Sequence, residues 1–252
     1  MHPTVALADI VAYLDELLDA PRYASEEDSN GLLLDGGQAV FRLAAAVNTS
    51  FAAIRGAAAA GAQLLLVHHA AWPFIDLQLR EEKLAALRTS GISLYGAHAS
   101  LDCAPQFGNS WVLARQLGVA VEGTFLEYHG GHAGVFGRAE GTFERFVGRA
   151  SQALGVDVEA WRNSDSFGRV GVVAGGAGET SAVDEARRLG CDTYLTGEGS
   201  MFTRLFARET GMNLVLGTHW ATEAPGIKAL AQRVAEHFRL PWSFVPEEPP
   251  LP

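Results

Sequence analysis

Two histidines stand side by side at the end of an apolar run, in "LLLVHHAAWPF" (residues 64–74). Three further runs end in groups of the same kind. "ISLYGA" is followed by His98 and, four residues on, Asp102; "DTYL" leads to Thr196, Gly197 and Glu198; "NLVLG" leads to His219 and, four on, Glu223. Imidazole nitrogens with carboxylate oxygens are the ligand set of zinc, manganese or iron. His68, His69, Asp102, His219 and Glu223 make five donors, more than one tetrahedral ion takes. A bridging Glu would suit a pair of ions about 3.5 Å apart, the arrangement of two-metal hydrolytic sites.

Each residue alone has a plainer reading. A single His at a strand end is more often a hydrogen-bonded core residue than a ligand. His129 and His132 fit that description, and His237 falls on a helix surface. Successive residues of a regular strand point to opposite faces. Both rings of the pair can therefore serve one site only if the strand has ended or if ions flank it. Asp102 could be a cap or turn residue. Glu223 could be a first-turn helix acid favoured by the dipole, with Thr222 as N-cap and the helix starting after His219. Cys103 reads as a small buried hydrophobe. The loop "AGGAGETS" (174–181) fits a tight strand-to-helix turn or a phosphate cradle. It lacks both the G-x-G-x-x-G spacing and the Gly-Lys-Ser/Thr of a P-loop. No nucleophile elbow is present.

The elements that must deliver these residues alternate strand and helix, which defines an α/β protein. Apolar residues at Val5, Leu7, Ile10, Val11, Leu14, Leu17 and Leu18 mark an amphipathic helix that Pro21 ends. Strands are expected in "FRLAAAVNTS", "AQLLLVHH", "ISLYGAHASLD", "HAGVFGRAEG", "VDVEAWR", "RVGVV", "CDTYLTGE" and "TGMNLVLG", with short ones in "EEDSNGLLLDGG" and "PWSFVPEEPPLP". Helices are expected in "FAAIRGAAAAG", "LREEKLAALRTSG", "FGNSWVLARQLG" (capped by Asn109 or Ser110), "TFERFVGRASQALG", "TSAVDEARRLG" and "TEAPGIKALAQRVAEHF". One plan occurs twice: strand, small-residue loop, helix, glycine, strand, polar cluster. The first copy ends at His68–His69 and the second at Thr196–Gly197–Glu198.

The bulk numbers bound the function. The net charge is −10, and 19% of the residues are charged. Such acidity argues against non-specific nucleic-acid binding, which needs cations against phosphates, but not against a small anionic substrate. Cys103 and Cys191 match no zinc or redox spacing, so a reducing, cytoplasmic location is expected. The first helix carries Asp9, Asp15, Glu16 and Asp19, unlike a signal peptide, and no run is long enough to span a membrane.

"DSNGLLLDG", "LLLVHHAAWPF", "YGAHASLD", "YLTGEGS" and "GTHWATEAPGIKAL", in that order, resemble the Nif-three-like family, also known as dinuclear metal centre hexameric proteins or GTP cyclohydrolase type 2 homologues. The five motifs span Asp28 to Leu230. The resemblance implies two similar α/β lobes with mixed sheets and a metal site between them. The lobes would be residues 1–125 with 212–252, and residues 126–211. It implies a homohexamer, and two divalent ions per chain on His68, His69, Asp102, His219 and Glu223, with Glu223 as the bridge. His98 and Glu198 fall on positions around the metals and become candidate proton carriers. The activity implied is hydrolysis of a nucleotide or another phosphorylated small molecule, GTP among them; the rival is a metal-handling protein without turnover. This chain departs from the family pattern at Ala70, where a Pro is usual, at Ser100, where an Asn is usual, and at the inserted Thr218.

Overall fold

The computed structural model describes residues 4–23, 29–70 and 78–247. Asp28, the "AWPF" that follows the His pair, and the proline tail lie outside them. In chain order the elements are α1 (Leu7–Leu18), α2 (Ala20–Tyr23), β1 (Asn30–Leu34), β2 (Leu43–Asn48), α3 (Phe51–Ala59), β3 (Leu64–His69), α4 (Arg80–Ser90), β4 (Ser93–Ala97), α5 (Ala99–Asp102) and α6 (Asn109–Gln116). Then follow β5 (Val119–Tyr128), β6 (Gly131–Ala139), α7 (Phe143–Leu154), β7 (Glu159–Trp161), β8 (Arg169–Val172), α8 (Thr180–Arg188), β9 (Thr193–Thr196), α9 (Met201–Thr210), β10 (Asn213–Leu216), α10 (His219–Phe238) and β11 (Trp242–Phe244).

They form two compact units, residues 1–104 with 227–249, and residues 105–226. The first holds a five-stranded sheet of order β1-β4-β3-β2-β11, in which only β1 runs antiparallel to its neighbour. The second holds a six-stranded sheet of order β5-β6-β8-β9-β10-β7, parallel only across β8-β9-β10. The expected α/β class with mixed sheets therefore holds.

The repeated plan is visible in both sheets. β2-α3-β3-α4-β4 and β8-α8-β9-α9-β10 are each three parallel strands laid down in order, with a helix in each crossover. Each is preceded by a short strand that pairs antiparallel with the third one: β1 with β4, and β7 with β10. His68 and His69 close the second strand of one copy; Thr196–Gly197–Glu198 close the second strand of the other. The third strands deliver His98 with Asp102, and His219 with Glu223. Both sheets thus place their polar groups outside the carboxyl ends of parallel strands, where open α/β sheets bind ligands.

The strands are apolar because they are covered. Leu43 to Val47 and Leu64 to Val67 have no exposed surface. Ala44, Ala46, Leu65, Val67 and Leu94 pack with Ala53, Ile54 and Ala57 of α3 and with Leu84 and Leu87 of α4. In the second unit Val170, Val172, Leu195 and Val215 pack with Leu113, Phe146, Ala150 and Ala221. This packing explains where the units divide. Leu113 and Ala114 of α6 and its C-cap Leu117 belong to the second core, β5 pairs β6, and β10 pairs β9 and β7. Residues 105–125 and 212–226 accordingly fold with the second unit, whereas the sequence reading set them with the first.

Several local expectations change. α1 ends on left-handed Asp19 (φ 50°), and Pro21 lies inside α2. The N-cap of α6 is Gly108, while Asn109 and Ser110 are buried. His129 lies in the β5–β6 turn and His132 in β6, neither of them in a core. α2, β5 and α9 have no counterpart among the elements expected from sequence.

Candidate metal centre

In the first unit the register carries the donors into one row. β3 pairs β4 only as far as Val67 with Gly96, yet stays paired with β2 out to His69 beside Asn48. The strand has thus ended on one side where the His pair begins. His68 is fully buried, and its ring centroid lies 4.7 Å from that of His69 and 5.0 Å from that of His98. One donor atom from each of His68, His69 and His98 lies within 4.8 Å of the others, a group that could hold a metal. "ASLD" forms a helical turn, α5, rather than strand, and the Asp102 N–H donates to the His98 carbonyl at 3.0 Å. This turn brings Asp102 Oδ1 to 3.7 Å from His68 Nε2. That exceeds a hydrogen bond. It lies within the spread of two donors that each sit about 2.0–2.2 Å from one zinc. Asn30 on β1 holds the turn: its Oδ1 accepts from the backbone N–H of His98 and of Ser100, both at 3.0 Å.

In the second unit the structure corrects the helix start. Thr218 adopts φ 64°, an uncommon left-handed conformation for a β-branched residue. It turns the chain sharply out of β10, so α10 begins at His219 itself and Thr222 lies within it. His219 and Glu223 are therefore i and i+4 on one helical face, with Nε2 3.0 Å from Oε1. Glu198 Oε1 lies 2.7 Å from His219 Nδ1. His219 and Glu223 belong to a second group that could hold a metal.

The glycine loop is shaped by these side chains. A Cβ on Gly175 (φ 79°) would lie 2.3 Å from Glu223 Oε1, and one on Gly176 3.2 Å from His219 Cε1 and 3.3 Å from Glu198 Oε2. The Gly175 N–H donates to Thr222 Oγ1 at 2.9 Å, tying the loop to α10. Two carboxylates face the loop, so the phosphate-cradle reading gives way to a turn that makes room for donors.

The histidines share one electronic feature. Nδ1 is engaged in all three expected ligands: with the Ala97 carbonyl at 2.7 Å for His68, with Asn48 Oδ1 at 2.7 Å for His69, and with Glu198 for His219. These partners are acceptors, so each Nδ1 carries its proton and Nε2 becomes the donor atom. Metal-ligating histidines are held and polarised in this way. Burial pushes the His219 imidazole down, but hydrogen bonds and charge from Glu223 and then Glu198 outweigh it and raise the ring to about 9. In the metal-free protein a proton on Nε2 thus faces Glu223, where a cation would stand. Asn48 was not singled out from sequence, and Thr222 was read only as an N-cap. Asn48 ends an apolar run, the same signal that marked the other donors.

A two-unit α/β fold whose parallel strands end in histidine and carboxylate donors defines a class of candidate metal-binding protein. Residues 5–249 match the family Duf34/NIF3 (NGG1p interacting factor 3), and the chain belongs to that family. It is 34% identical to a Deinococcus radiodurans protein named GTP cyclohydrolase 1 type 2 homolog, over 94% of this chain and 91% of that one. A Pseudomonas aeruginosa protein of the same name is 32% identical, over 96% and 97%. Among solved structures, TTHA1606 from Thermus thermophilus superposes with a TM-score of 0.82 at 28% identity, covering 98% of this chain and all of that one. The protein ybgI, described as of unknown function, gives 0.88 at 27%, with the same coverage.

Proposed function

We propose that this protein binds two divalent ions per chain and uses them to hydrolyse a nucleotide or another phosphorylated small molecule. His68, His69, Asp102, His219 and Glu223 would hold the pair. The observation that carries this reading is the engaged Nδ1 of all three histidines, which prepares three Nε2 atoms for zinc, manganese or iron. Bound ions would polarise a substrate oxygen and lower the pKa of water.

The chain's own residues supply the rest. Ala97 O, Asn48 and Glu198 orient the rings. Gly175 and Gly176 leave space for Glu223 and His219. The Glu198 side chain is 54% exposed. It can hold the His219 Nδ1 proton and also exchange protons with solvent, and His98 is the second proton carrier. GTP enters as a substrate through the names of the curated relatives. No described helix is long and apolar enough to cross a membrane. Neither Cys103 nor Cys191 is in a disulfide, which fits work in the cytoplasm. The family resemblance adds a homohexamer, which the mass in solution tests.

The function is tested by quantifying metal in the purified protein, reloading it, and screening phosphoesters, cyclic nucleotides and GTP. Turnover that vanishes in His68→Ala and Glu223→Ala supports the hydrolase. Full metal occupancy with no turnover across the screen leaves metal handling as the function.

A further inference from the structure

The segment that follows β11 carries a buried acid, Glu247. β11 pairs β2 in parallel register, Trp242 with Leu43 through Phe244 with Ala45. Continuing that register by three residues sets Glu247 beside Asn48, and Asn48 is itself paired with His69. One row of side chains therefore crosses three strand ends. Its hydrogen bonds run along the row: Asn48 Nδ2 donates to Glu247 Oε2, and Asn48 Oδ1 accepts from His69 Nδ1. Glu247 is only 5% exposed, and its Oε1 has no hydrogen-bond partner among the described residues. A buried carboxylate satisfied at one oxygen is a costly way to fasten a chain end. The segment is fastened without it: the Val245 N–H donates to Ala45 O at 2.8 Å, and Val245 packs where Gly56 of α3 has no side chain.

We propose that Glu247 is a positioning residue for His69, acting through Asn48. Glu247 Oε2 accepts from the Asn48 amide nitrogen, so it fixes which end of that amide faces it. The amide oxygen must then face the imidazole, Nδ1 must hold the proton, and Nε2 is presented bare. With the carboxylate gone, the amide can turn over, present its NH2 to Nδ1 and drive the proton to Nε2, which blocks the donor atom. The row is the first unit's counterpart of the Glu198–His219 contact, with an amide inserted between acid and ring. This inference rests on the metal reading above only for its consequence; the tautomer itself belongs to the metal-free protein.

The test uses the metal-stripped full chain labelled with 15N-histidine, read by solid-state NMR, with His69 assigned by its loss in His69→Gln. Glu247→Leu is expected to bring out the Nε2–H form of His69 and leave His68 and His219 unchanged. Glu247→Gln, which keeps an acceptor for Asn48, is expected to retain the Nδ1–H form. Zinc affinity, measured by chelator competition, should fall about 10-fold to 100-fold in Glu247→Leu. Asn48→Leu should match it, with no further loss in the double variant. Should Glu247→Leu fail to fold, Asn48→Leu carries the tautomer arm. A His69 that stays wholly Nδ1–H in both Leu variants overturns the proposal, whatever happens to affinity. If wild type binds no metal while the tautomer shifts as expected, the metal reading falls and the positioning role stands.

Discussion

Gly175→Ala should cost metal binding out of proportion to its cost in stability. Two penalties meet at this position. At φ 79° the backbone is left-handed, which costs an L side chain about 1–2 kcal/mol. The added Cβ would also lie 2.3 Å from Glu223 Oε1 and 3.2 Å from His219 Nε2. Restoring an ordinary contact of about 3.4 Å requires that carboxylate oxygen to recede by about 1 Å, several times the roughly 0.2 Å a metal–ligand distance tolerates. Gly155 supplies the control in the same unit. It has φ 70°, and a methyl added there would meet nothing within 4 Å, so Gly155→Ala meets the strain alone. Urea unfolding of the metal-free variants should show a loss of about 1–2 kcal/mol in Gly155→Ala and a larger one in Gly175→Ala, which also displaces the buried Glu223 carboxylate. Chelator competition should show at least about a tenfold weaker metal affinity in Gly175→Ala only, by analogy with disturbed ligand orientation. Equal metal affinity in the two variants would refute the claim that the glycine loop exists to clear Glu223 and His219.

Further outcomes follow from the same contacts. His219 is raised to about 9 in the folded metal-free protein, above its ordinary value. Its stabilising contribution is therefore fully present below about pH 6.5 and lost as pH rises through about 9; thermal melts of metal-free wild type should show that loss, and His219→Gln should flatten it. Metal binding near pH 7.5 must displace that proton, so calorimetry in buffers of different ionisation enthalpy should register about one proton released at this ring, and none from it in His219→Gln. Thr222→Val strands the buried Gly175 N–H and should cost about 1–3 kcal/mol, while Thr222→Ser should recover most of it; chemical denaturation reads both. Asn30→Leu removes the acceptor of two buried N–H groups and should destabilise by at least about 2 kcal/mol in the same assay.

The donors were legible because a buried strand has to be apolar until it stops. A His directly after "LLLV" or "YGA", or one residue after "LVLG", therefore marks a strand end, and the order of those ends within each sheet follows from the alternation of strand and helix. The repeated plan was legible for the same reason, and each sheet carries it. What stayed hidden depends on backbone angles and on partners remote in sequence. Thr218 at φ 64° moves the start of α10 onto His219. A threonine is a poor residue for that conformation, so composition pointed to a later start. "ASLD" continues an apolar pattern, and its helical turn is stabilised by Asn30, some 70 residues earlier. The unit boundaries were set by which core Leu113 and Leu117 enter, which periodicity does not report. Glu247 lies 199 residues from Asn48, and no local signal joins them.

The central proposal is that His68, His69, Asp102, His219 and Glu223 hold one pair of ions. Crystals of the full chain loaded with zinc or manganese, measured on either side of the metal's absorption edge, test it most directly. The account predicts two anomalous peaks per chain, about 3.5–4 Å apart. Between them they should be held by Nε2 of His68, His69 and His219 and by Asp102 and Glu223, with Glu223 touching both. A single peak, two peaks held by separate halves of this set, or ions bound through Nδ1 would contradict it.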